Sequence, residues 1–463
     1  MNYLSPDLIR AKFSKSMSDM YQKEVPLYGD LIDLVQDVNQ ATLSAHPALA
    51  QQLQATQELA RLSEERHGAI RLGTPQELQT LARVFNVMGM YPVGYYDLVP
   101  AGVPVHATAF RAIDAQALSI SPFRVFTSLL RLELIENQSL RETATQILQS
   151  RQIFTDQALA LTEKAEQQGG LNTEDAMTFV NEVLETFRWH SHAPVSREVY
   201  QALHDQHRLI ADVVAFKGPH INHLTPRTLN IDLVQAGMQE RGIPPKAVIE
   251  GPPPRQCPIL LRQTSFKALD ETVFFSGEIE GSHSARFGEI EQRGIALTAK
   301  GRTLYDQLLQ ATRQRLNAPI TESNATKYMQ ILAEEFQAFP DSWVELHQQG
   351  LAYFYYDCNH YTLGAESTRS YDVQQLDELI QEGIISIKPI VYEDFLPVSA
   401  AGIFQSNLGE HARAEYQVYS NQTQFEQHLG KKTHDMIALY EQTAQHSLQK
   451  VLAQLNTQVA NSV

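Results

Sequence analysis

The sequence predicts an α+β fold: two β-α-β-β-β modules packed side by side as a curved, partly open barrel, with a helical insertion between them and a mixed α/β extension after them. Two stretches that read alike carry this expectation. His67 opens HGAIRLGTPQELQTLARVFNVMGMYP and His223 opens HINHLTPRTLNIDLVQAGMQERGIPP; each runs from a histidine through a Thr-Pro pair and a helix-like stretch to a glycine and a proline. Each is followed by segments rich in β-branched and aromatic residues, the composition of strands. With 463 residues, 43% of them hydrophobic, the chain can fill one large core or several domain-sized ones.

The elements follow in order. Up to about residue 55, Leu27, Leu31, Leu34, Val35 and Val38 recur at helical spacing and predict an amphipathic scaffold helix. Residues 55–135 form the first module. There Thr74-Pro75-Gln76-Glu77 supplies an N-cap, a proline at the first helical position and a glutamate three residues after the cap, so a helix begins with Leu78, Leu81, Ala82, Phe85 and Met88 on its buried face. Strands are expected at 92–99, 105–112 and 123–132. Residues 136–217 are rich in Gln, Glu, Ala and Leu, and Thr173-Glu174-Asp175 looks like a helix start, so this stretch reads as a helical insertion. In the second module, residues 218–300, a strand near His223 and a helix from Pro226 precede strand-like runs at 246–250, 258–267, 272–278 and 285–298, which is one strand more than the first module has. Residues 301–463 alternate helix-like stretches at 301–315, 327–336 and 373–382 with strand-like ones at 352–357 and 384–392. No low-complexity linker divides the chain, so one integrated body over 1–463 is expected.

Composition excludes several classes. Two cysteines, Cys257 and Cys358, are too few for a disulfide framework and have no CxxC spacing, so a reducing compartment fits better than secretion. The N-terminal stretch lacks the apolar core of a signal peptide and no run is long enough to span a bilayer, so a soluble cytoplasmic protein is expected, with no membrane partner. A net charge of −16 argues against nucleic acid as a partner and leaves a small anion bound in a local basic pocket compatible. There is no GxSxG nucleophile elbow, no P-loop and no strand-to-helix GxGxxG.

Two neutral imidazoles and one carboxylate leave coordination positions open on ferrous iron, which makes His67, His223 and a nearby glutamate a candidate site for an oxygen-using enzyme. His67 and Arg71 are four apart and share a face in strand or helix, so Arg71 can grip a substrate carboxylate while His67 holds the metal. His220 competes with His223; three apart on a strand, they face opposite sides, and His223 is preferred as nearer the Thr-Pro pair. Glu289 and Glu291 share a strand face, so either carboxylate can serve. His106 is a spare candidate, while His190 and His192 read as loop or structural residues. In the small-residue run 397–402, PVSAAG, backbone N–H groups are accessible to an anion.

The words HGAIRLGT, HINHLTPR, FGEIEQRGIALT and PVSAAGIF, in this order, resemble those of the 2-oxoadipate dioxygenase/decarboxylase family, also called hydroxyglutarate synthase, over nearly the whole chain. The resemblance implies a fold related to the vicinal oxygen chelate superfamily and an Fe(II) site with His67, His223 and Glu291 as metal ligands. It further implies that Arg71, Val398 and Ser399 contact the substrate, Val398 through its backbone. The implied reaction converts 2-oxoadipate and O2 to 2-hydroxyglutarate and CO2, with lysine catabolism as its setting. Two other readings keep the cavity and change the chemistry: a Zn- or Ni-dependent lyase or isomerase of the glyoxalase kind, which consumes no oxygen, and a non-catalytic small-acid-binding protein.

Overall fold

The computed structural model describes residues 3–359, 371–396 and 421–462, and these fall into two compact units. The first comprises Met1–Glu250, Gln263–Gln292 and Asp394–His434. It is built on one seven-stranded sheet in the order β2-β3-β4-β1-β5-β9-β6, with β1 at Arg66–Leu72, β2 at Tyr91–Asp97, β3 at Val105–Arg111, β4 at Arg124–Leu130, β5 at His223–Pro226, β6 at Leu261–Ser265 and β9 at Phe287–Arg293. Both predicted modules contribute to it. They meet where β1 pairs antiparallel with β5, His67 opposite Thr225 and Ala69 opposite His223. Outward from this junction β1 pairs parallel with β4, and β5 parallel with β9.

The repeat is real but its register differs from the one the Thr-Pro words suggest. Thr74 caps the helix Pro75–Val87 through a complete capping box, as expected. Thr225 and Pro226, however, lie inside β5, and the second helix starts only at Ile231, capped by Asn230. An asparagine does there what a threonine does in the first copy: its side-chain oxygen accepts a backbone N–H of the first turn. His67 and His223 then occupy equivalent places, each the same distance before its true N-cap. The second module gives the sheet three strands, β5, β6 and β9, against four from the first, because two of its five expected strands fall outside it. At residues 245–250 only isolated bridges form, Pro245 to Phe266 and Glu250 to Gln263. The run at 272–278 becomes β7 (Asp270–Phe275), which pairs with β8 (Ile279–Ser284) in a hairpin outside the main sheet. With its largely exposed residues, β8 lacks the apolar face that a sheet interior requires.

One face of the sheet is covered by helices. Ile70 and Leu72 of β1, Leu224 of β5 and Ile290 of β9 enter a core with residues of the helices Pro6–Glu24, Pro26–Ala45, Pro75–Val87, Thr173–Leu184 and Ile231–Glu240. The first segment thus holds several helices, and prolines open those starting at Pro6, Pro26 and Pro47. Residues 136–217 are helical at Gln138–Ser150, Asp156–Gln168, Thr173–Leu184, Arg197–Gln206 and Arg208–Val214. Gly68 permits the β1–β5 junction, because a Cβ there would lie 2.6 Å from Ile221 Cδ1 and 3.0 Å from the His223 carbonyl oxygen.

The second unit comprises Gly251–Arg262, Arg293–Glu393 and Asp435–Val463. It holds the expected helices, at Ala299–Leu316 and Ala325–Glu335, and a two-stranded antiparallel ribbon of β10 (Phe354–Cys358) and β11 (Ile385–Pro389). Leu379, Ile384 and Ile385 pack with Val451 and Leu455 of the long helix Met436–Ser462. Among the described residues no helix is long and apolar enough to cross a membrane.

Candidate metal centre

Strand alternation assembles the site on the sheet face opposite the core. On β1, Ile70 and Leu72 point into the core, so His67, Ala69 and Arg71 share the other face. Register carries that face across the sheet. His67 lies opposite Arg124 of β4 and Thr225 of β5, while His223 lies opposite Phe287 of β9, so Phe287, Glu289 and Glu291 point the same way. The expectation that the two glutamates share a face is met.

His67, His223 and Glu289 form a possible three-residue metal site, with one ligand atom from each lying within 4.8 Å of the others. His67 stands between the two carboxylates: Glu289 Oε1 is 3.4 Å from its Nε2, and Glu291 Oε2 is 3.0 Å from its Nδ1. Glu289 Oε2 is 3.9 Å from His223 Nε2. All four side chains are fully buried. Both nitrogens of each imidazole and Oε2 of Glu289 have no aligned hydrogen-bond partner. Buried polar atoms are nearly always paired, so a cluster of orphaned nitrogen and oxygen donors suits a bound cation.

The electrostatics of His223 agree with that fit. Burial, reinforced by His67 and Arg71, holds the His223 imidazole well below its ordinary pKa, hence neutral and able to ligate. Burial also pulls His67 down, but Glu291 and Glu289 outweigh it and leave the imidazole above the usual range. Burial raises the Glu289 carboxyl, with His67 opposing. Gln263 of β6 donates its amide to Glu289 Oε1 at 2.5 Å. Arg124 Nη1 lies 3.6 Å from Glu291 Oε1, and the same guanidinium reaches Glu65 at 2.8 Å. Phe395 packs edge-to-face on His67, with ring centroids 4.9 Å apart, and on Phe126 at 5.4 Å. Its neighbour Asp394 makes a two-pronged pair with Arg111, at 2.7 and 3.0 Å.

Arg71 is on the site face, and its Nη1 donates to Asp212 Oδ2 at 2.6 Å. Val398 and Ser399 lie outside the described residues. His220 is directed elsewhere, to Asp212 at 3.4 Å and Asn222 at 3.1 Å. His106 does not join the metal site: it alternates with Ala107 on β3, faces away, and packs against Phe425 at 4.7 Å. His192 stacks on Phe274, a structural contact. Sequence reasoning missed Gln263, Arg124, Glu65, Asp212 and Phe395. Gln263 and Arg124 left a signal, since each lies in a run that was expected to be a strand.

An enzyme of mixed α/β architecture with a candidate metal centre is the class that this fold and site define. The chain belongs to the 2-oxoadipate dioxygenase/decarboxylase family, whose model matches residues 13–407. It is 59% identical over 457 residues to the 2-oxoadipate dioxygenase/decarboxylase of Pseudomonas putida, covering 98% of both chains. With the Escherichia coli protein of the same name the identity is 56% over 448 residues, covering 96% of this chain and 98% of that one. Among solved structures, the hydroxyglutarate synthase of Pseudomonas putida in complex with 2-oxoadipate superposes with a TM-score of 0.90 at 57% identity, covering 98% of this chain and all of that one.

Proposed function

We propose that this enzyme converts 2-oxoadipate and O2 to 2-hydroxyglutarate and CO2 at ferrous iron held by His67, His223 and Glu291. The observation that carries the proposal is the fully buried cluster in which Glu289 and Glu291 flank His67 beside His223, with Arg71 further along the same strand face. Ferrous iron, when bound, supplies the one-electron chemistry by which dioxygen reacts with an organic acid.

The protein's own groups do the rest. A His67 ring that ligates through one nitrogen carries its proton on the other, and that N–H needs an acceptor. The two carboxylates flanking the ring therefore divide the work, one as ligand and one as acceptor. The family resemblance gives the ligand role to Glu291, beside Arg124, and leaves Glu289, which Gln263 already engages, to orient the imidazole. Arg71 offers a planar guanidinium to the carboxylate of the substrate remote from the oxo group, with Val398 and Ser399 adding backbone N–H groups. Phe395 and Phe126 line the His67 side with apolar surface and exclude water there.

Iron content of purified Glu291→Gln and Glu289→Gln tests the division. The expected result is loss of iron from the first and retention of iron with slowed turnover in the second. The reverse outcome exchanges the two roles, and full iron in both removes the carboxylates from the site.

A further inference from the structure

We propose that Asp212 and His283 are positioning residues for Arg71, and that the β7–β8 hairpin, which interrupts the repeat, thereby sets selectivity for the chain length of the 2-oxo diacid. The proposal rests on the reading of Arg71 as the substrate's carboxylate grip. Asp212 Oδ2 accepts from Arg71 Nη1 at 2.6 Å, while its Oδ1 accepts from Nε2 of His283, a β8 residue, at 2.9 Å. The other ring nitrogen of His283, Nδ1, is hydrogen-bonded to the Tyr200 hydroxyl at 2.9 Å. A chain of hydrogen bonds thus runs Tyr200–His283–Asp212–Arg71, joining the helical insertion, the hairpin and β1.

Its members do not have room to move. Asp212, His283 and Tyr200 are 6%, 4% and 7% exposed, so none exchanges its partner for bulk water. Trp189 lies parallel to the His283 ring with centroids 6.0 Å apart, and Phe216 packs against it at 4.7 Å. Asn222 Nδ2 adds a weaker contact to Asp212 Oδ2 at 3.4 Å. A guanidinium is a rigid planar fork, so fixing one nitrogen against a carboxylate that cannot turn fixes the direction of the remaining N–H groups. The distance between metal centre and anion grip, and with it the preferred length of the diacid, becomes a property of Asp212 as much as of Arg71. Positioning of this kind is costly to lose, since small displacements of a binding group are amplified in rate.

The test uses the iron-loaded full-length enzyme and steady-state O2 uptake with 2-oxoadipate and with shorter and longer 2-oxo diacids. Asp212→Asn is expected to raise KM for 2-oxoadipate by about tenfold or more, to weaken the preference among chain lengths, and to leave iron content unchanged. His283→Gln should act in the same direction and Tyr200→Phe more weakly, so the series remains readable if the aspartate variant folds poorly. Asp212→Glu should recover part of the discrimination. In an Arg71→Ala background, Asp212→Asn should add nothing further, because residues acting through one another are non-additive. If these variants lower stability alone and leave KM and the chain-length preference unchanged, or if Asp212→Asn and Arg71→Ala add independently, the proposal is overturned. Should Arg71→Ala itself leave KM untouched, the carboxylate-grip reading falls; should it raise KM while Asp212→Asn does not, only the positioning role falls.

Discussion

Replacing Arg71 by alanine separates substrate binding from metal binding on a single strand. The residue is 9% exposed and lies on the same face of β1 as His67, with Ala69 between them. Truncating one partner of a buried, hydrogen-bonded charge pair costs about 2–5 kcal/mol. At ~1.4 kcal/mol per factor of ten, that range corresponds to a fall in kcat/KM of roughly 30-fold to several thousand-fold. Part of the energetic loss appears as reduced stability, because Asp212 remains buried. Burial would raise its pKa, but His220, Arg71 and His283 together hold the carboxyl far below the ordinary range, and His283 and Asn222 remain as its donors when Arg71 is gone. The metal donors are untouched by the change. Iron per chain, measured on protein reconstituted without oxygen, should therefore match the unsubstituted enzyme, while kcat/KM from O2 uptake falls within the stated range. Equal proportional loss of iron and turnover would refute the assignment of Arg71 to the substrate, as would an unchanged kcat/KM.

Gly68→Ala should disturb the junction that brings the two histidines together: the added methyl meets Ile221 and the His223 carbonyl, and overpacking of this kind costs about 1–3 kcal/mol. A lower Tm together with weaker iron retention is expected, and an unchanged Tm would show that β1 and β5 have more room than their spacing indicates. Acid sensitivity provides a separate check. Burial, aided by neighbouring cations, pushes His106 down to about 3 and His207 down to about 4. Their folded pKa values lie below the unfolded value of about 6.5, so the unfolded chain binds more protons between these limits. Their stabilisation is complete above that upper limit and is lost as pH falls through the window; urea midpoints should decline from pH 6.5 toward 4, and His106→Gln should flatten the decline. A midpoint that stays constant across this range contradicts the assignment.

Local chemistry was legible in the sequence where one residue type has one use. The Thr74–Glu77 capping box and the strands of the first module follow from such signals. The shared face of Glu289 and Glu291 follows from strand periodicity alone. The second module was harder because Thr225-Pro226 imitates Thr74-Pro75 while lying in a strand, and because asparagine at position 230 caps as well as threonine does. Strand parity disposes of His106, but only once the register of β3 is known. Asp212 and His283 had no sequence signal, and Arg124 only its place in an expected strand. Their partners are brought close by tertiary packing across long stretches of chain, and no spacing rule reports such contacts. The same limit applies to Gln263, whose strand was expected but whose facing carboxylate was not.

The central claim is that one buried centre, shared by the two modules, joins iron, oxygen and a 2-oxo diacid. Anaerobic reconstitution with ferrous iron, followed by an oxygen pulse in the presence of 2-oxoadipate, tests it with O2, CO2 and organic product read together. The expected result is equimolar O2 consumption, CO2 release and 2-hydroxyglutarate formation, lost together with bound iron in His67→Ala and in His223→Ala. Product formed without oxygen uptake, or turnover that survives loss of both histidines, would contradict it.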